Sequence, residues 1–142
     1  PEAQWHLGHM YRCGWGVPTD PAQEASWNRR AADAGFAPAQ FSVGWNYEWG
    51  EGVRQSDVEA VKWYRQSAAQ GDSYGQFSLG LMYLAGRGGV RCDAAHALSL
   101  LRKSSRQDNP FAANLLRELR ERGVTAETPA IELKGIFESL LR

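Results

Sequence analysis

Three side chains near the start of the chain have the chemistry of metal ligands: His6, His9 and Cys13. Spaced i, i+3 and i+7, they share one face of a helix, and imidazole with thiolate is a zinc-binding combination. Three ligands from one short helix rarely surround a metal, and no fourth ligand or partner motif accompanies them. A metal-dependent enzyme or metal-binding module is therefore only a competing reading, and no cofactor is expected. Trp45 and Trp49, at i and i+4, offer a different chemistry. Two large rigid aromatics on one side of a helix are side chains of the type that dominates binding energy at protein interfaces. Nothing in the chain resembles an acid–base pair with an orienting group. The Gly-x-Gly runs follow helices rather than strands, so they are turns and not phosphate cradles.

These residues are positioned by an internal repeat. Gly8, Gly44 and Gly80 lie 36 residues apart, and Tyr11, Tyr47 and Tyr83, then Gly14, Gly50 and Gly86, then Gly16, Gly52 and Gly88 keep the same interval. One additional residue, Gly89, shifts the rest of the third copy, so that Val17 and Val53 are matched by Val90. A fixed period of this length signals stacked supersecondary units, each unable to bury its apolar face alone. Each copy reads helix, Gly-x-Gly turn, helix. Pro38 suits a first helical turn and Gly50 a left-handed closing residue. Ser56-x-x-Glu59 is a capping box, with Asp20 and Asp93 at the equivalent place. Gly35 and Gly71 end the second helices, and in copy three the stop is Asp108-Asn109-Pro110, with Asn109 expected to take the left-handed conformation.

The pattern Ala39-x-x-x-Val43-Gly44-x-x-Tyr47-x-x-Gly50-x-Gly52-Val53, followed by Ala60-x-x-Trp63-Tyr64-x-x-x-Ala68-x-x-Gly71, resembles the Sel-one-like repeat family, a tetratricopeptide-related group. Copy one matches with Leu7-Gly8-x-x-Tyr11, Trp27 and Gly35. Copy three keeps Leu79-Gly80-x-x-Tyr83 but carries Leu100-Leu101 in place of Trp-Tyr, so its second helix is expected to pack differently. The resemblance covers residues 3–110. It implies an all-α right-handed solenoid whose inner surface holds protein or peptide ligands, and it brings no catalytic residues. Trp27 and Trp63 occupy a packing position of the family.

The domain organisation expected is three repeats and a partial fourth over residues 1–122, then a C-terminal amphipathic capping helix over 123–142. Ala112, Leu115, Leu116 and Leu119 form one apolar stripe. Thr128-Pro129 is expected to open the last helix, whose stripe is Leu133, Ile136, Phe137, Leu140 and Leu141. No cap precedes the first copy, which points to missing upstream repeats or a self-association surface.

Along the first helix of each copy, the positions that differ between copies share one face. They form the rows His6, Ser42, Ser78; His9, Trp45, Leu81; and Cys13, Trp49, Ala85. The partner-binding set expected on the inner surface is His6, His9, Ser42, Trp45, Trp49, Ser78 and Leu81, and the function expected is a non-enzymatic adaptor or scaffold. RNA binding by a helical repeat is the alternative from another class. Sixteen Lys and Arg balance sixteen Asp and Glu in 142 residues, so no net field favours nucleic acid or an anionic membrane. No stretch approaches the roughly 20 apolar residues of a membrane span. The start, Pro1-Glu2-Ala3-Gln4-Trp5, has no signal-peptide character but does not begin with Met, which leaves the compartment open. Cys13 and Cys92, two copies apart, are not expected to pair.

Overall fold

Eight helices and no strands account for the chain, described over residues 1–142 in a computed structural model. They are α1 (Glu2–Cys13), α2 (Pro21–Asp33), α3 (Ala37–Trp49), α4 (Asp57–Ala69), α5 (Ser73–Ala85), α6 (Ala94–Ser105), α7 (Pro110–Glu121) and α8 (Ala130–Leu140). Consecutive helices pair as α1–α2, α3–α4 and α5–α6, and each hairpin stacks on the next through α2–α3, α4–α5 and α6–α7.

The turn chemistry sets this geometry. Gly14, Gly50 and Gly86 close the first helices at φ 70°, 67° and 64°, a conformation strained for any residue with a Cβ. The turn then folds back so that the amide of Asp20, Ser56 or Asp93 donates to the carbonyl of Tyr11, Tyr47 or Tyr83, at 2.9–3.1 Å. The residue inserted at Gly89 is absorbed within the turn, since the third of these bonds is kept. Asp20 accepts from the amides of Ala22 and Gln23, Ser56 from Glu59, and Asp93 from His96. The capping box at Ser56 is only half formed: the Ser56 amide is taken by Tyr47, and the Glu59 carboxylate instead pairs with Lys62.

Two expectations about helix ends need correction. Asp108, at φ 60°, is the left-handed residue, while Asn109 is extended and caps α7 by accepting from Phe111 and Ala112. A side chain committed to capping the next helix leaves the reversal to its neighbour. At the last helix, Pro129 is the N-cap and Ala130 the first helical residue, because the Thr128 hydroxyl is used to accept from the Thr125 amide within the preceding turn.

Small residues let the helices of a hairpin approach. Gly44 lies against the Tyr64 ring, and Tyr64, fully buried, packs with Ala60, Val61, Leu79 and Met82. Its hydroxyl donates to Glu48 Oε2 at 2.6 Å, and Glu48 also pairs with Arg87, which bridges to Asp57. In copy three, Leu101 occupies the place of Tyr64 opposite Gly80, and the α5–α6 hairpin closes like the others. The expected difference in packing is therefore confined to side chains. Bonds between copies recur in register as well: Gln70 Nε2 donates to the Gly35 carbonyl and Gln107 Nε2 to that of Gly71.

Trp63 is buried and Trp27 half-buried, with Arg29 and Arg30 lying over their outer faces at 4.9 and 4.7 Å. At the other end of the stack, α8 packs chiefly against α5, placing Leu133 and Phe137 in one cluster with Leu84, Leu98, Leu101 and Leu119. Leu7 and Met10 on α1 are exposed where their equivalents in copies two and three are buried. No helix is long and apolar enough to cross a membrane.

Candidate functional site

The first helices α1, α3 and α5, with the start of α7, line one side of the stack, and a groove of about 660 Å³ runs along them. The repeat period determines which side chains it shows. Trp5, Phe41 and Phe77 lie one copy apart on successive first helices, and Tyr74 and Phe111 form a second row at the helix starts. The two rows meet in two ring pairs: Phe41 lies 5.5 Å from Tyr74 between centroids, and Phe77 lies 6.2 Å from Phe111. Trp45 and Trp49 lie 5.5 Å apart at a tilt of 46°. Trp49 is 59% exposed and Phe111 58%, so much of this aromatic surface faces solvent.

Of the residues expected at a binding surface, His9, Ser42, Trp45, Trp49, Ser78 and Leu81 line the groove. Their roles within it differ. Ser42 accepts from Trp5 Nε1 at 3.0 Å and so orients that indole. Ser78 is buried, and Leu81 is half-buried against the cluster that holds Leu84, Leu98 and Leu101. His9 stacks on Trp5, and Trp45 holds its Nε1 buried without an acceptor in the protein. His6 is outside the groove lining, exposed and 3.8 Å from Glu2.

His6, His9 and Cys13 do not converge. His9 Nε2 lies 3.5 Å from Cys13 Sγ while His6 turns to Glu2, and no cluster of three His, Cys, Asp or Glu side chains forms. Both cysteines are free; the Cys92 thiol, raised in pKa by burial, donates to the Leu84 carbonyl at 3.2 Å.

The row Trp5, Phe41, Phe77 was not among the expected contacts, because positions alike in every copy read as scaffold. The signal was present nonetheless: three aromatics in register on first helices, one position before the variable row. Also unforeseen was the polar part of the groove, formed by Arg12, Glu24, Asn28, Glu48 and Asp72. Burial raises the Glu24 carboxyl above its ordinary value, an effect partly opposed by the Arg12 guanidinium. Burial and the Glu48 carboxylate both push the Tyr64 hydroxyl far upward, which keeps it a donor.

The Sel1 repeat profile matches residues 1–36, 37–72 and 73–109. Among solved structures the chain is similar to c5321, a protective antigen present in uropathogenic Escherichia coli strains and displaying an SLR fold. That likeness is at 34% identity and a TM-score of 0.82, over 98% of this chain and 30% of that one. It is also similar to a Sel1 repeat protein from Oxalobacter formigenes, at 28% identity and a TM-score of 0.79, over 99% of this chain and 57% of that one. The chain thus spans under a third of the first of these proteins and somewhat over half of the second. No curated protein sequence matches it. Sel1 repeats commonly act as protein-interaction scaffolds. With three family units in tandem and the helical solenoid of its structural relatives, the chain belongs to the Sel1 repeat family.

Proposed function

We propose that this chain is a non-enzymatic interaction module that binds a peptide segment of a partner protein along the first-helix groove. One observation carries the reading: aromatic side chains from successive repeats line one partly exposed, concave site, where isolated exposed apolar residues would need no explanation. The proposed contacts are His9, Ser42, Trp45, Trp49, Ser78 and Leu81, joined by Trp5, Phe41 and Phe77; His6 is left outside. Trp45 and Trp49 are the anchors.

Peptide is favoured over RNA by charge. The groove is lined by the acidic side chains Glu24, Glu48 and Asp72 against Arg12 alone among Lys and Arg, a field that opposes a polyanion. Selection from a displayed random peptide library on the immobilised chain tests the proposal. Recovered peptides should share spaced aromatic or aliphatic positions and should be lost when Trp45 and Trp49 are both replaced by alanine in a protein that remains helical. Recovery of peptides that bind the double variant equally well would remove the groove from the function.

A further inference from the structure

Repeat register singles out three polar side chains. Glu24 stands where the later copies have Ala60 and Ala97, Asn28 where they have Tyr64 and Leu101, and Asn46 where the flanking copies have Met10 and Met82. The fold brings the three together. Asn28 Nδ2 donates to Asn46 Oδ1 at 3.3 Å and reaches Glu24 Oε1 at 3.5 Å, and the residues are 5% (Glu24), 2% (Asn28) and 1% (Asn46) exposed. Polar groups placed where a solenoid packs alanine, leucine and methionine cost stability unless their hydrogen bonds are complete. Here they are weak and uncharged: the Glu24 carboxylate is met by the neutral side-chain amides of Asn28, at the limit of hydrogen bonding, and of Asn46, and by no cation at ion-pair distance.

Glu24 and Asn28 also line the groove together with Trp5, Trp45 and Trp49. Of the acidic side chains there, Glu48 is engaged by Tyr64 and Arg87, and Asp72 caps α5 by accepting from the Gly75 amide. Glu24 alone lacks a strong partner. Arg12, also lining the groove, is exposed and forms no ion pair with it. A buried carboxylate in a groove that also carries indoles matches a guanidinium, which donates along its edges to carboxylate and lies flat on aromatic rings.

We propose that Glu24, held by Asn28 and Asn46, forms a subsite of the groove that receives an arginine side chain of the bound peptide. The proposal rests on the groove being a peptide site and adds to it the chemistry of one ligand position. An architectural role for the trio makes a different prediction, because the apolar residues of the other copies would then fail to replace it.

Blocked tripeptides Phe-Arg-Phe, Phe-norleucine-Phe and Phe-Gln-Phe, titrated against the whole chain by indole fluorescence and by shifts of the indole N–H resonances, provide the test. Phe-Arg-Phe should bind at least about tenfold more tightly than Phe-norleucine-Phe, as expected for one close charge pair. Glu24→Gln should bring the ratio of arginine-peptide to norleucine-peptide affinity down to about one. The triple replacement Glu24→Ala, Asn28→Leu, Asn46→Met should fold with a melting temperature no lower than the parent and also lose the preference.

Equal binding of the arginine and norleucine peptides, or an arginine preference that survives Glu24→Gln, overturns the subsite while leaving the groove reading intact. A Phe-Gln-Phe preference over Phe-Arg-Phe overturns it in favour of a carboxamide. A marked fall in the melting temperature of the triple variant assigns the trio to architecture and likewise overturns it. Failure of all three peptides to bind overturns the subsite and the groove reading together.

Discussion

Replacing Gly44 by alanine places a methyl group where the fold has left no room. An ideal Cβ at this position would sit 2.5 Å from Tyr64 Cε1, 2.6 Å from Cδ1 and 3.3 Å from the Ala60 carbonyl oxygen. Tyr64 cannot step aside, since it is fully buried and its hydroxyl is held by Glu48 at 2.6 Å. In an open helical position the same substitution gains about 1 kcal/mol of helix propensity. Overpacking a filled core costs ~1–3 kcal/mol, and contacts this short against a pinned ring belong at the upper end. The net expectation is a loss of about 1–2 kcal/mol, or about 2–8 °C in melting temperature for a chain of this size.

The repeat supplies internal controls. At Gly80 the corresponding Cβ would lie 3.2 Å from Leu101 Cγ, so a small shift of a flexible side chain makes Gly80→Ala close to neutral. At Gly135 nothing lies within 4 Å, and Gly135→Ala should be stabilising. Urea unfolding followed by far-ultraviolet circular dichroism should rank the midpoints Gly135→Ala, parent, Gly44→Ala, with Gly80→Ala near the parent. Adding Tyr64→Leu to Gly44→Ala should cost less than the sum of the two single changes, because the clash is then gone. A Gly44→Ala protein as stable as the Gly135→Ala protein would refute the close approach of α3 and α4 on which each repeat depends.

Two further outcomes concern stability. Asp20→Ala removes the acceptor for the amides of Ala22 and Gln23 and should cost about 1 kcal/mol in the same unfolding assay, while Asp20→Asn should retain most of it; an unchanged midpoint for the alanine variant would contradict this cap. Burial raises the Glu24 carboxyl above its ordinary value, so the folded chain holds that proton more tightly than the unfolded chain. Between the ordinary carboxylate range and the raised folded value, stability therefore falls as pH rises. Glu24→Gln should flatten that fall, matching the parent in mild acid and exceeding it at neutral pH; parallel pH profiles for the two proteins would count against the burial.

The architecture was legible in the sequence wherever a single residue carries a local backbone requirement. The glycines at the turns, the tyrosines that receive the turn amide, and the caps Asp20, Ser56 and Asp93 each act within about ten residues of themselves. Ambiguity began where two residues competed for one role. Asn109 and Asp108 are both able to adopt a left-handed conformation, and only the start of α7 decides that Asn109 caps instead. At the groove, comparison between copies identified the row through His9, Trp45 and Leu81 because its side chains differ. The same logic passed over Trp5, Phe41 and Phe77, which are aromatic in every copy and partly exposed all the same. The Glu24, Asn28 and Asn46 cluster was hidden for another reason: its members come from two helices of adjacent repeats, and their burial is a property of the stack. His6 shows the converse, since helical periodicity placed it on the variable face but not how far the groove extends around α1.

Binding of a library-selected peptide to the parent and to a variant carrying Trp45→Ala and Trp49→Ala, measured by isothermal titration with helicity checked in parallel, separates a recognition groove from a merely structural one. Removal of two interface anchors should weaken binding by at least about 2 kcal/mol, or roughly thirtyfold, while the helical signal is preserved. An affinity within twofold of the parent in the helical double variant would contradict a role for the aromatic groove in partner recognition.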